Sequence, residues 1–536
     1  MEKRLFIFLL VLIVFLLVGC VKQPIKKEIP GSNNVKIVEN EEKSVKERTE
    51  ETEKQIHGFD FGIEYGPLGL AEVYSETRVH VAKPYPEAVI WKNIQSSASS
   101  AYNWVNLDAI VKEYQDAGFD KMQLLITAES PWASRDAGSL KVKDTRPKQE
   151  YEDDYVKFVK AAVERYDKDG IDDMPGLKYP INEWGVEREF SGFFPGNGNE
   201  YVEVLKLAYP AIKEANPNAK VMLNALFMSS MFVGNPDEKE VERRLKEEKI
   251  LGNPKTVNDI RIILDAVDYY DTVDLHLLSD YSEIPATVRW IKGELKKRDV
   301  SKEIYGGDVF PMSPLFIGFE TCNIGPLSGK EIYPVDSKTR CEAVEIIGAV
   351  RKKNDPNHKK ANEWLERNIA VNIPRKFAVS AYEGLKGINI GNMEDWFIPF
   401  GAGVSPNMGL IDTASMLDKI RQPKEKRPGF YAVKMSIKYL EGFDSVRKID
   451  LIGNAYVYEF TKSGEKIIVA WYDDGKFYGL DKETPSIEIS VPWNKKSAKI
   501  TEVPVKRGNE EGSLQIIDSA NGRLNFKLGY TTVFIM

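Results

Sequence analysis

The chain has 536 residues, enough for two or three domains and at least one large core. Hydrophobic residues make up 42%, charged residues 29% and aromatic residues 11%, the balance of a folded, water-soluble protein. A net charge of −7 with no basic domain or stripe argues against a nucleic-acid partner, and four histidines and three cysteines with no CxxC or HExxH spacing argue against a dedicated zinc site.

In chain order, the first twenty residues predict an export signal. Lys3 and Arg4 supply a positive start, residues 5–18 form an unbroken apolar run, and Leu17-Val18-Gly19-Cys20 matches a bacterial-type lipobox in which Cys20 carries the lipid. The run is short for a span of about 20 apolar residues, so an uncleaved membrane anchor is the alternative. Either way the body is expected outside the cytoplasm, at the cell surface or on the periplasmic side, tethered to the membrane. Residues 21–57 are rich in Lys, Glu, Asn and Ser and cannot bury a core, so they predict a solvated stalk.

From residue 58 to 441 short apolar runs alternate with amphipathic stretches, the signature of repeated β-α units. Strands are predicted at 59–64, 88–93, 121–127 (KMQLLIT), 183–188, 220–226 (KVMLNAL), 272–277 (TVDLHL), 303–307 and 386–390. Helical spacing occupies 107–117, 151–166, 200–215, 257–269, 285–297, 361–383 and 429–440. Eight strands with helices between them predict an α/β fold of the (β/α)8 TIM-barrel type rather than an open sheet. Residues 442–536 change character: seven β-rich runs separated by turn signals such as Ser463-Gly464, Asp474-Gly475 and Asn521-Gly522 predict a C-terminal antiparallel β-sandwich. No phosphate-cradling glycine loop occurs, and neither cofactor nor metal is expected. Cys322 and Cys341 lie 19 positions apart in an insertion after the seventh strand, in a compartment where a disulfide can form; two free thiols are the alternative.

Chemistry in such a barrel sits at the C-terminal strand ends. The polar residues there are Glu183, Glu187, Arg188 and Glu189 on strand four, His276 on six, Asp308 on seven, and Asn389, Asn392 and Asp395 on eight. Two carboxylates facing across the mouth are what glycosidic cleavage requires, one as proton donor and one as nucleophile or as base for a water.

At this level the sequence resembles the clan A retaining glycoside hydrolases, nearest to β-xylosidase-like barrels with a C-terminal β-domain, over nearly all of residues 58–536. The resemblance rests on Asn103-Trp104-Val105-Asn106-Leu107-Asp108, Ser130-Pro131-Trp132-Ala133-Ser134, Glu164-Arg165-Tyr166, and Asn216-Pro217-Asn218-Ala219-Lys220-Val221. It implies that Glu189, closing Trp184-Gly185-Val186-Glu187-Arg188-Glu189, is the acid/base, with Glu183 as the alternative. It implies Asp308, closing Lys302-Glu303-Ile304-Tyr305-Gly306-Gly307-Asp308, as nucleophile or base, and His276 as a residue lining the sugar site. Trp132 and Trp396 are candidate sugar platforms, with Trp91 and Trp184 as further strand-end aromatics, and Lys92 and Asn392 are candidate hydroxyl partners.

Three positions depart from the family pattern. Arg188 replaces an asparagine that contacts the sugar, and a cation there is expected to depress the Glu189 pKa. Asp308 replaces glutamate, retracting its carboxylate by up to about 1.5 Å, which could forbid direct attack yet admit a water. Leu278 replaces a tyrosine, with Tyr281 as a stand-in. The resulting expectation is a membrane-anchored extracytoplasmic glycosidase acting on an oligo- or polysaccharide. A carbohydrate-binding barrel that has lost hydrolysis and a transporter's solute-binding lipoprotein are the alternatives.

Overall fold

The computed structural model describes residues 54–55, 58–84, 89–136, 144–247, 255–311, 337–391, 393–395, 407–415, 418–451 and 453–536. The export signal with Cys20, and the stalk but for Lys54–Gln55, lie outside the described residues. Among the described residues no helix is long and apolar enough to cross a membrane.

Eight parallel strands close into a barrel: β1 (Asp60–Gly66), β2 (Val81–Pro84), β3 (Lys121–Ile126), β4 (Glu183–Val186), β5 (Lys220–Phe227), β6 (Thr272–Leu277), β7 (Glu303–Val309) and β8 (Gly387–Ile390). Closure comes from β1 lying between its neighbours, with Asp60 opposite Gly387 and Gly62 opposite Val81. The strands are buried along nearly their whole length, because helices cover one face and packed side chains fill the other. Surrounding helices include α1 (Val105–Asp116), α2 (Glu152–Glu164), α3 (Gly198–Ala215), α4 (Val257–Asp265), α5 (Glu283–Lys296), α6 (Ser337–Arg351), α7 (His358–Glu383) and α8 (Pro428–Leu440). Local chemistry sets their ends. Asn197 and Glu200 form a reciprocal capping box at α3, Thr256 and Asp259 another at α4, and Gly384 at φ 81° stops α7.

The second strand differs from its predicted place at 88–93. Ile90 makes only an isolated bridge to Thr127, and Trp91–Ile94 is a single helical turn. The true β2 hides a lysine, Lys83, which is 2% exposed inside the barrel.

The C-terminal region is built as predicted from antiparallel sheets. A sheet runs in the order Lys54–Gln55, β9 (Ser445–Lys448), β10 (Ala455–Lys462), β11 (Glu465–Tyr472), β16 (Val533–Ile535), β13 (Ser497–Glu502) and β14 (Leu514–Asp518). A second sheet pairs β12 (Ser486–Pro492) with β15 (Arg523–Gly529). Alternation decides what each face meets. Val457, Ile468, Ala470 and Ile535 pack with Val491, Leu524 and Leu528 in the sandwich core, whereas Phe460, Val469, Trp471 and Phe534 join the barrel's core. Lys54–Gln55, in the segment predicted as stalk, pair with Val446 and Ser445.

One buried cation ties the sandwich to the barrel. Arg375 on α7 is 0% exposed. It donates to Asp473 Oδ2 at 3.1 Å and Thr532 Oγ1 at 3.2 Å, and its guanidinium lies 4.3 Å from the Tyr530 ring centre. Tyr281 belongs to this joint, not to the barrel mouth. Its hydroxyl donates to Asp473 at 2.8 Å and its ring meets Trp471 edge-on.

Candidate active site at the barrel mouth

Six titratable side chains converge at the C-terminal ends of β1, β2, β4, β6 and β7. Glu64 ends β1 beside a register shift, Lys83 ends β2, Asp274 and His276 lie on β6, Asp308 pairs with His276 in register on β7, and Glu189 follows β4. Bulges between Leu275 and His276 and between Gly306 and Val309 turn these strand ends, a usual device for re-aiming side chains at a site. Glycines make the room. A Cβ on Gly307 would stand 2.2 Å from Asp274 Oδ1, and one on Gly192 would stand 1.9 Å from Glu189 Oε1.

His276 stands between the two carboxyls singled out from the sequence. Its Nδ1 is hydrogen-bonded to Glu189 Oε2 and lies 3.9 Å from Asp308 Oδ2. The nearest oxygens of Glu189 and Asp308 are therefore no more than about 6.5 Å apart, an upper limit that admits the about 5–5.5 Å of retaining pairs. Lys83 is the counter-charge, its ammonium 3.4 Å from both Glu64 Oε1 and Asp274 Oδ2 and donating to Gly307 O at 3.2 Å.

Burial sets the protonation states. It pushes Glu189 up to about 7, opposed only by the Lys83 charge. It also raises Glu64 well above the carboxylate range, with the neighbouring Asp308 charge adding to the effect. Asp308 is raised by burial too, but His276, Lys83 and a hydrogen bond from Glu64 pull the other way. Burial would strip Lys83 of its proton, yet Asp274, Glu64 and Asp308 outweigh it and hold the ammonium charged. His276 is lowered to about 4 by burial and Lys83, so it is neutral near pH 7.

The expected effect of Arg188 does not occur. Its guanidinium reaches away from Glu189 to Glu129 Oε2 at 2.7 Å, and Glu129 also takes Lys92. Arg188 therefore sits in an ion cluster beside the mouth, and Glu189 rises rather than falls. Glu187, with left-handed backbone at φ 67°, turns into the protein, accepts from Ala128 N at 2.8 Å and is pushed up to about 7 by burial. Glu183 starts β4 at the opposite end of the barrel and accepts from Gln123 at 2.6 Å, which removes it as the acid. Trp132 packs edge-on against Trp91 and Tyr151, and Trp91 and Trp184 are fully buried core residues. Asn392 and Trp396 lie outside the described residues, as does Cys322; Cys341 is disulfide-bonded.

Sequence reasoning missed Glu64, Lys83 and Asp274. The alternation of β6 (TVDLHL) placed Asp274 on the same face as His276, a signal that could have found it. Nothing in the sequence marked Glu64 or Lys83. One side-chain atom from each of Glu64, His276 and Asp308 lies within 4.8 Å of the other two, and the Lys83 ammonium beside Glu64 supplies the positive charge there.

No protein-family model matches the sequence, and no curated protein matches it. Solved structures do share the fold. A family 39 glycoside hydrolase from the gut symbiont Bacteroides cellulosilyticus WH2 aligns with TM-score 0.55 at 12% identity over 89% of this chain and 81% of its own. A monomeric β-xylosidase from Caulobacter crescentus CB15 aligns with TM-score 0.52 at 10% identity, over 90% of this chain and 97% of its own. A glucosidase from Croceicoccus marinus gives TM-score 0.51 at 11% identity, over 91% and 96%. The chain thus shares its (β/α)8-plus-β-sandwich fold with these structures.

Proposed function

We propose that the chain is a retaining glycoside hydrolase, held by its N-terminus on the outer side of a cell membrane and acting on an oligo- or polysaccharide. The observation that carries the reading is the placement of Glu189 and Asp308 on either side of one imidazole nitrogen at the barrel mouth. Glu189, buried and raised to about 7, is a proton donor near neutral pH. Asp308, raised by burial but drawn back by the Lys83 charge and a hydrogen bond from Glu64, is the nucleophile.

In the first step the Glu189 proton passes to the leaving glycosidic oxygen while an Asp308 oxygen bonds to the anomeric carbon, giving a glycosyl ester and a released alcohol. In the second, Glu189 takes a proton from water, which attacks the same carbon and frees Asp308. His276, neutral throughout, orients the Glu189 carboxyl. The shared fold supports a carbohydrate ligand, and the lipobox at Cys20 supports the anchor.

A binding-only barrel is the second reading, favoured by the depth of Asp308, whose side chain is 3% exposed. Purified protein incubated with aryl glycosides and a polysaccharide panel separates the two. Turnover lost in both Glu189→Gln and Asp308→Asn supports the enzyme, whereas sugar binding without turnover sinks it.

A further inference from the structure

We propose that Glu64 is a positioning residue whose protonated carboxyl donates a hydrogen bond to the Asp308 carboxylate and fixes that short side chain for attack on the sugar. The inference rests on the reading of Asp308 as nucleophile. Glu64 and Asp308 are 3% and 2% exposed, and an oxygen of each lies within 4.8 Å of the other and of a His276 ring nitrogen. Glu64 Oε2 and Asp308 Oδ1 are both buried, and among the described residues no N–H or hydroxyl donor reaches either. Two buried acceptors without donors are a costly arrangement unless one carries a proton and gives it to the other. Gly391, just past β8, borders both: a Cβ there would lie 3.2 Å from Asp308 Oδ1 and 3.3 Å from Glu64 Cβ.

Every neighbouring element contributes a charge that decides where the proton sits. Lys83 of β2 is 3.4 Å from Glu64 Oε1, the far oxygen, and Asp274 and His276 of β6 flank the pair. Burial raises Asp308 and the Lys83 charge lowers it, with Glu189 from the β4 side and His276 facing the same carboxyl. Lys376 of α7 also senses the Asp308 charge from behind, its own ammonium donating to Leu277 O at 2.8 Å. The net effect keeps the proton on Glu64. The hydrogen bond engages Asp308 Oδ1 and leaves Oδ2, the oxygen facing His276 and Glu189, to attack. A glutamate nucleophile would reach about one C–C bond further, so the aspartate depends on being held at one distance and angle.

The test uses Glu64→Gln and Glu64→Ala in the full-length protein. Glutamine keeps a donor at the same reach and cannot ionise; alanine removes it. Infrared spectra of the wild type are expected to show a protonated-carboxyl band that persists into mildly alkaline pH and is missing from Glu64→Gln. Glu64→Gln should keep kcat within about threefold, whereas Glu64→Ala should lose about 10–100-fold in kcat with little change in KM. An infrared band unchanged in Glu64→Gln overturns the proposal, as does Glu64→Ala turning over like wild type. Glu64→Gln falling as far as Glu64→Ala also overturns it, because the ionised carboxylate would then be the group required. The infrared arm reads the proton without turnover, so a protein that cleaves no glycoside would refute the proposed function alone.

Discussion

Replacing Glu189 by glutamine should make the protein more stable, and by an amount that grows with pH. Burial raises Glu189 to about 7 in the folded chain against the ordinary glutamate value of 4.5, and its side chain is 10% exposed, so screening by solvent is small. A carboxyl with a raised folded pKa binds its proton more tightly in the native state. Its contribution is therefore fully present below pH 4.5 and is lost as pH rises through 7. At about 1.4 kcal/mol per pKa unit, ionising Glu189 in place costs the fold about 3 kcal/mol at pH 8. Glutamine fits the same space, keeps a polar contact to His276 Nδ1 and never ionises. Melting curves of wild type and Glu189→Gln, collected from pH 4.5 to 8.5, should coincide at the acid end and separate progressively, with the variant melting higher. A constant difference across the range, or a variant that is less stable at pH 8, would refute the claim that burial holds the proton on Glu189.

Gly192→Ala should displace the Glu189 carboxyl, because the new Cβ would stand 1.9 Å from Oε1; kcat/KM should fall about 100-fold in a folded protein, read by turnover beside circular dichroism. Asp60, at the other end of the barrel, is held down to about 2: burial opposes this, but hydrogen bonds from His80 and Lys121 and the Lys121 and Lys386 charges overcome it. Its stabilisation is present above its unfolded value near 3.8 and fades as pH falls towards 2, so Asp60→Asn should cost about 2 kcal/mol at pH 7 and almost nothing in strong acid, by denaturant titration. Arg375→Ala removes the cation between barrel and sandwich and leaves Asp473 facing Tyr281 alone. A loss of about 3–5 kcal/mol is expected, with protease sensitivity appearing in residues 442–536.

The parts of this molecule legible in its sequence were those where one local rule acted alone. The C-terminal strands show period-two alternation between Xaa-Gly turns, and all seven runs read from the sequence are strands. Strands such as KMQLLIT and TVDLHL set closely spaced Met, Val, Leu and Ile residues between amphipathic helices, and they fell within a residue or two. Strand β2 was lost because Val81–Pro84 is four residues long and holds a lysine, while the more apolar 88–93 nearby served as a decoy. Lys83 is tolerated only because Glu64 and Asp274, 19 and 191 positions away in sequence, neutralise it, and no local pattern announces that. Glu189, Asp308 and His276 were singled out by register with a known pattern, and they lie together at the barrel mouth. Their protonation was not legible in that register, since Arg188 is adjacent in sequence but turned to Glu129, whereas Lys83 is remote in sequence and close in space.

The central claim is that Glu189 and Asp308 cleave a glycosidic bond by two successive displacements at one carbon. Following hydrolysis by proton NMR, with the first-formed anomer resolved before mutarotation, tests it most directly. The account predicts that the product keeps the anomeric configuration of the substrate, that rate falls as pH rises through about 7, and that Glu189→Gln and Asp308→Asn each abolish the signal. An inverted first product would contradict direct attack by Asp308, and turnover that survives both substitutions would contradict the site itself.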